Sequence, residues 1–126
     1  KDAGGRFPKG ATEGRCGEVS RIYFTNIKCT SENGVFVGGD VPGKVNHIFF
    51  KDVDVLLYKR TGYPGGIYDK RPCLGEGFVH DSTYGFYIDT ASDIYIEDSR
   101  IMWGDTKPDK AADGVMQKNA HNVVIE

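Results

Sequence analysis

Ser20-Arg-Ile-Tyr-Phe-Thr-Asn-Ile27, Asn46-His-Ile-Phe-Phe-Lys-Asp-Val53, Ser92-Asp-Ile-Tyr-Ile-Glu-Asp-Ser99 and His121-Asn-Val-Val-Ile-Glu126 share one pattern. Two polar residues lead. Ile or Val follows, then an aromatic residue or a second branched one, then Phe or Ile, a polar residue, and Asn or Asp. Alternation puts Ile22/Phe24, Ile48/Phe50, Ile94/Ile96 and Val123/Ile125 on one face of short strands. Asn26, Asp52 and Asp98 then fall at strand ends, where a short polar side chain can bond the backbone of a bend.

A second element follows the first in each unit: Gly34-Val-Phe-Val-Gly38, Gly85-Phe-Tyr-Ile-Asp89 and Gly114-Val-Met-Gln-Lys118. The distance from Ile22 to Gly34 is 12 positions, but from Ile48 to Gly85 it is 37. The second unit therefore carries about 25 extra residues relative to the first. Short strands in repeating units predict a stack of coils, each burying its face only against its neighbours. The expected fold is all-β: a right-handed parallel β-helix of about three to four coils with one long loop insertion. Helices are excluded, because Val, Ile, Phe and Tyr fill the periodic positions and no segment holds a 3.6-residue period. A two-sheet sandwich is the alternative, but sandwiches rarely repeat one motif at one offset.

The remaining features bound the class. The 126 residues fit one domain, expected to have an irregular lead-in over residues 1–17 and the insertion over residues 58–84. Seventeen glycines and seven tyrosines favour turns and flat β surfaces. Sixteen basic and 18 acidic residues are mixed along the chain, for a net charge of −2. That mixture makes no basic stripe for nucleic acid, and no apolar run has the length of a membrane span. Cys16, Cys29 and Cys73 cannot all pair within one chain, and none has zinc spacing. Cys29 reads as a small buried apolar residue, while Cys16 and Cys73 lie in loops. No metal or cofactor is expected. The last strand motif runs to Glu126, so the coil ends read as open edges. The chain therefore reads as a fragment of a larger protein, and end-to-end self-association through those ends is expected.

The insertion concentrates candidate chemistry. Tyr63, Tyr68, Asp69, Arg71 and His80 lie in it, and Trp103 stands in the corresponding loop of the next coil. Aromatic rings can stack on sugar faces, and Arg or Lys can bond carboxylates, so an acidic or neutral oligosaccharide or polysaccharide is the expected partner. Each residue also has a plainer reading. Arg60 and Arg71 can pin the loop through ion pairs, and neighbours such as His80 and Asp81 often point apart. Tyr63-Pro64-Gly65-Gly66 is first a turn. Trp103 can serve either as a sugar platform or as a lid over the coil edge. Glycoside hydrolysis needs two carboxyl groups flanking the scissile bond. The groove-facing positions expected on the second element, Phe36, Asp89 and Gln117, do not supply them.

Cys29-Thr-Ser-Glu-Asn-Gly-Val-Phe-Val-Gly38 and Val45-Asn-His-Ile-Phe-Phe-Lys-Asp-Val-Asp-Val55 resemble the later coils of polygalacturonase-like glycoside hydrolases (family 28) of the pectin-lyase-like superfamily. Gly62-Tyr-Pro-Gly-Gly-Ile-Tyr-Asp-Lys-Arg-Pro72 and Trp103-Gly104 resemble a less characterised branch of right-handed β-helix proteins grouped with them. The resemblance spans residues 19–126. It implies the C-terminal part of a secreted or periplasmic enzyme that hydrolyses pectic polymers with inversion. That family's Asn-Thr-Asp, Asp-Asp, Gly-His-Gly and Arg-Ile-Lys motifs are absent here, and Val35 and Val37 stand where a basic pair would. No catalytic residue carries over. The expected contribution is scaffold and groove wall, with a noncatalytic glycan-binding or structural module as the alternative.

Overall fold

A computed structural model of the chain describes residues 17–71, 73, 76–108 and 110–126. The lead-in up to Cys16 lies outside the described residues. The strands are β1 (Val19–Ser31), β2 (Val35–Gly38), β3 (Val45–Leu57), β4 (Ile67–Asp69), β5 (Phe78–His80), β6 (Phe86–Asp89), β7 (Ser92–Glu97), β8 (Arg100–Trp103), β9 (Val115–Lys118) and β10 (His121–Ile125).

Two parallel sheets carry the repeat. One has the order β1-β3-β7-β10, with β8 also on β3, and the other has the order β2-β6-β9. Every pairing in them is parallel and in the register the sequence motif demands: Ile22 lies against Ile48, Ile48 against Ile94, and Ile94 against Val123. The second element stacks as Val35, Phe86 and Val115. This is a right-handed parallel β-helix.

The bends have a common cause. Asn26, Asp52 and Asp98 have φ of 55°, 56° and 49°. Asn and Asp tolerate this left-handed conformation better than most residues. At each of them the path turns. β1 and β3 continue through the bend, whereas β7 and β8 are the same path interrupted there. A second left-handed set, Arg21, His47, Asp93 and Asn122, lies at the start of the same strands, and Thr90 and Asn119 mark the step from β6 to β7 and from β9 to β10. The corners are thus stacked as regularly as the strands.

The core follows from the stack. Ile48, Phe50, Ile94 and Ile96 are buried together with Val53, Val55, Leu57, Phe86 and Ile88. Burying each such side chain contributes roughly 1.5–3 kcal/mol. Burial fades at the ends: Ile94 is 0% exposed, but Ile22 is 37% and Ile125 is 51%. An apolar cavity of about 270 Å³ opens at the first coil between Phe24, Ile27, Cys29, Val35, Phe36, Val37, Phe50 and Val53. Cys29 lies half-buried in this stack, and burial raises its thiol pKa.

The outer side of the first sheet carries a ladder of rings. Tyr23 and Phe49 are 4.6 Å apart and Phe49 and Tyr95 4.8 Å, with planes within 5° and 6° of parallel. This is the strand spacing itself, read out by side chains.

The repeated glycine before the second element has a steric reason. A methyl on Gly34 would strike the carbonyl oxygen of Tyr84, and one on Gly85 would strike Ile101. At Gly34 the coils touch through backbone, at Gly85 the Ile101 side chain takes the room, and Gly114 has open space and a φ of +90°. The register also corrects one expectation. Phe36 stacks with Tyr87 and Met116, and Gly38 with Asp89 and Lys118. Phe36, Asp89 and Gln117 therefore form no column. Gln117 shares the side of Val37 and Ile88, which faces the interior, because alternation is counted from the glycine.

Candidate functional site

The link between β3 and β6 runs over residues 58–85, where the link between β1 and β2 is residues 32–34. These 25 extra residues are the insertion expected from the sequence. It folds into an antiparallel hairpin in which Ile67 pairs with His80, Tyr68 with Val79 and Asp69 with Phe78. The hairpin lies against the outer side of the β2-β6-β9 sheet. Alternation gives it two faces: Tyr68 and Val79 on one, and Ile67, Asp69, Phe78 and His80 on the other.

The inner face is built from rings. Tyr68 packs on Phe36 at 5.2 Å and on Tyr87 at 4.7 Å, and Tyr84 meets Tyr87 edge-on at 5.9 Å. The Tyr68 hydroxyl donates to the Ser82 carbonyl at 3.0 Å and accepts from the Tyr84 amide at 3.1 Å. At 3% exposure, its ring serves to hold the hairpin down. Burial raises the Tyr68 pKa. Burial raises that of Tyr87 as well, aided by its hydrogen bond to Asp81 at 2.8 Å.

The charged groups under the hairpin are engaged. Asp89, 2% exposed, accepts from Lys70 at 3.4 Å and from the Thr90 hydroxyl at 2.8 Å. Asp81 accepts from the Tyr87 hydroxyl and from the Ser82 amide. His80 and Asp81 consequently point to different sides, and no acid–base couple forms between them.

Two residues of the preceding coil fasten the insertion. Asn33 donates to the Ile67 carbonyl at 3.0 Å and accepts from the Gly66 amide at 3.2 Å. Gly66 has φ +74°, and a methyl there would meet the Asp81 carbonyl oxygen. Glu32 accepts from the amides of Arg60 and Thr61, both at 2.7 Å, and from the Thr61 hydroxyl at 2.9 Å. The amide bonds from Thr61 and then Arg60 hold its pKa at about 2. Sequence reading passed over both residues, although Glu32-Asn33-Gly34 stands directly before a repeated element.

The outer face holds three of the six candidates. Arg71 grips Asp69 through its Nε at 2.9 Å and its Nη2 at 2.8 Å, and its own amide bonds the same carboxylate at 2.9 Å. Its guanidinium lies over the Phe78 ring at 4.4 Å. The hydrogen bonds to Asp69 raise the Arg71 pKa. The arginine stem crosses Gly77, where an added Cβ would come within 2.7 Å of its Cγ. His80 stands one pair along on the same face. Phe78 and Gly77 complete this surface and were not singled out from the sequence.

The other candidates lie apart. Tyr63 is 79% exposed in the segment leading to the hairpin. Trp103 ends β8, half-buried against the core, with the Lys107 ammonium 5.8 Å from its ring. Among the described residues no group of three or more His, Cys, Asp or Glu side chains could hold a metal ion, and no helix is long and apolar enough to cross a membrane.

Compared with known proteins, the chain matches no family model, no curated protein and no solved structure, so the β-helix assignment rests on its own topology and register.

Proposed function

We propose that this chain is a β-helix scaffold whose hairpin forms a glycan-facing wall of a polysaccharide-processing protein, without supplying catalytic carboxylates itself. The carrying observation is the outer face of the hairpin. An exposed ring, Phe78, is capped by a guanidinium held flat by Asp69, with His80 alongside. A flat guanidinium stacked on a ring and edged with polar groups suits a pyranose, which has an apolar C–H face and a hydroxyl rim.

The noncatalytic part of the reading is supported by where the carboxylates go. A hydrolase needs two carboxyl groups open to the substrate. Asp89 is buried beneath the hairpin on Lys70, and Asp81 is tied to Tyr87. Glu32 and Asp54 serve as clamps, the first on the insertion loop and the second on Arg100 at 3.0 and 2.6 Å.

The test is calorimetric or NMR titration of the chain with a panel of neutral and acidic oligosaccharides. Saturable binding is expected, weakened about fivefold or more in Arg71→Ala and Phe78→Ala. Absence of saturable binding to every member at millimolar concentration would refute the glycan-facing role and leave a purely structural module. That second reading is favoured by how completely the insertion is pinned to the coil through Asn33, Glu32 and Tyr68.

A further inference from the structure

The insertion carries four cations that, in sequence, look like a receptor for carboxylated sugars: Lys59, Arg60, Lys70 and Arg71. The fold pairs three of them with carboxylates and lays the fourth on a ring. Lys59 stands 4.0 Å from Glu32, and Lys70 pairs with buried Asp89. Arg60 stacks on the Tyr58 ring at 5.0 Å. Arg71 meets Asp69 in the two-pronged geometry by which arginine binds carboxylates. The fork that a uronate would occupy is therefore filled from within the chain, and the filling group carries the same charge as the uronate.

We infer that the hairpin surface selects neutral sugars over uronates, an inference that rests on the glycan-facing reading above. Arg71 acts here as a flat plate and not as a charge. Its stem lies across Gly77, where only a missing side chain lets it lie flat, and its guanidinium covers Phe78. Asp69 cancels its charge and fixes its plane. A pyranose stacked on this plate meets little net charge, and the ring nitrogens of His80 stand nearby to bond a hydroxyl. A polyuronate would bring further negative charge beside Asp69 and would find Lys59, Lys70 and Arg71 already paired with carboxylates.

The experiment uses the whole chain and three probes at one ionic strength: cellohexaose, a β-1,4-linked galactohexaose and hexagalacturonate. At least one neutral hexasaccharide is expected to bind about threefold or more tightly than hexagalacturonate. Asp69→Asn, which leaves the guanidinium uncompensated, should move the preference toward hexagalacturonate by about fivefold, and added salt should reverse that gain. Tighter binding of hexagalacturonate by the unaltered chain overturns the inference while leaving the glycan-facing reading in place. An unchanged preference in a folded Asp69→Asn chain also overturns it. Should that variant lose its hairpin, seen as altered Phe78 and Tyr68 resonances, the preference of the unaltered chain decides alone. If none of the three binds, the glycan-facing reading falls and this inference falls with it.

Discussion

Ile22 and Ile94 occupy one column of the stack, so the same substitution at each measures what a neighbouring coil is worth. Ile→Ala removes about three carbons, and at about 0.8 kcal/mol per buried methylene the transfer loss at fully buried Ile94 is about 2.4 kcal/mol. The space left behind is closed above by Ile48 and below by Val123, so a cavity penalty adds to it. The sum should be about 3–4 kcal/mol. Ile22 is 37% exposed and, among the described residues, has a strand partner on one side only. Roughly two-thirds of the transfer loss applies there, and no closed cavity forms, giving about 1–1.5 kcal/mol. Ile48→Ala should follow Ile94, since it is also buried between two layers.

Urea unfolding followed by Trp103 fluorescence is the assay, because this is the single tryptophan and it packs on the core. The midpoints should fall in the order unaltered, Ile22→Ala, then Ile48→Ala and Ile94→Ala together. Costs at Ile22 and Ile94 agreeing within about 0.5 kcal/mol would refute the stacked-coil reasoning, since a closed barrel or sandwich would treat the positions alike.

Other outcomes follow from single contacts. Glu32, held at about 2 when folded against an ordinary value of 4.5, stabilises its loop fully above the unfolded value, and that contribution is lost as the pH falls toward about 2. Amide exchange at Arg60 and Thr61 should therefore speed up across that window beyond its intrinsic pH dependence, and Glu32→Gln should abolish the excess. Gly34→Ala drives a methyl into the backbone of Tyr84 and Gly85 and should lower stability by about 2–3 kcal/mol in thermal melts. Gly77→Ala meets only the flexible stem of Arg71, so stability should stay within about 0.5 kcal/mol while sugar binding falls. End-to-end pairing of β10 of one copy with β1 of another is expected, because both carry a left-handed residue near their start, Asn122 and Arg21. Sedimentation over a concentration series should show weak dimerisation, and a strictly monomeric chain throughout would exclude it.

The fold was legible because a coil stack asks the same thing of every layer. Ile22, Ile48, Ile94 and Val123 meet at one height, so one kind of side chain recurs, and recurrence is visible without coordinates. The Asn26, Asp52 and Asp98 corners were legible for the same reason, as residues that tolerate positive φ. Arg21 adopts the same conformation with no such preference. Its bend is imposed by the strands on either side, and a tertiary demand of that kind leaves no local mark. The second element does not align Phe36, Asp89 and Gln117, because its register runs from the glycine that precedes each strand. Counted from Gly34, Gly85 and Gly114, the columns come out as observed.

The site was legible in its residue types but not in their pairing. Tyr68 and Asp69 are adjacent, yet the hairpin turns one inward and the other outward, so a ring that looked like a sugar platform is an anchor. The cations show the point more sharply. Arg71 and Asp69 are two residues apart, and that pair can be suspected from the sequence alone. Lys70 finds Asp89 nineteen residues on, and Lys59 finds Glu32 in the preceding coil. The insertion's return across the β2-β6-β9 sheet brings Asp89 within reach of Lys70, and the stacking of β3 on β1 brings Glu32 within reach of Lys59. The insertion holds four Lys and Arg against three Asp and Glu, and the fold decides which of them are paired. On the glycan-facing reading, the sugars it would hold follow from that pairing and not from the residue types alone.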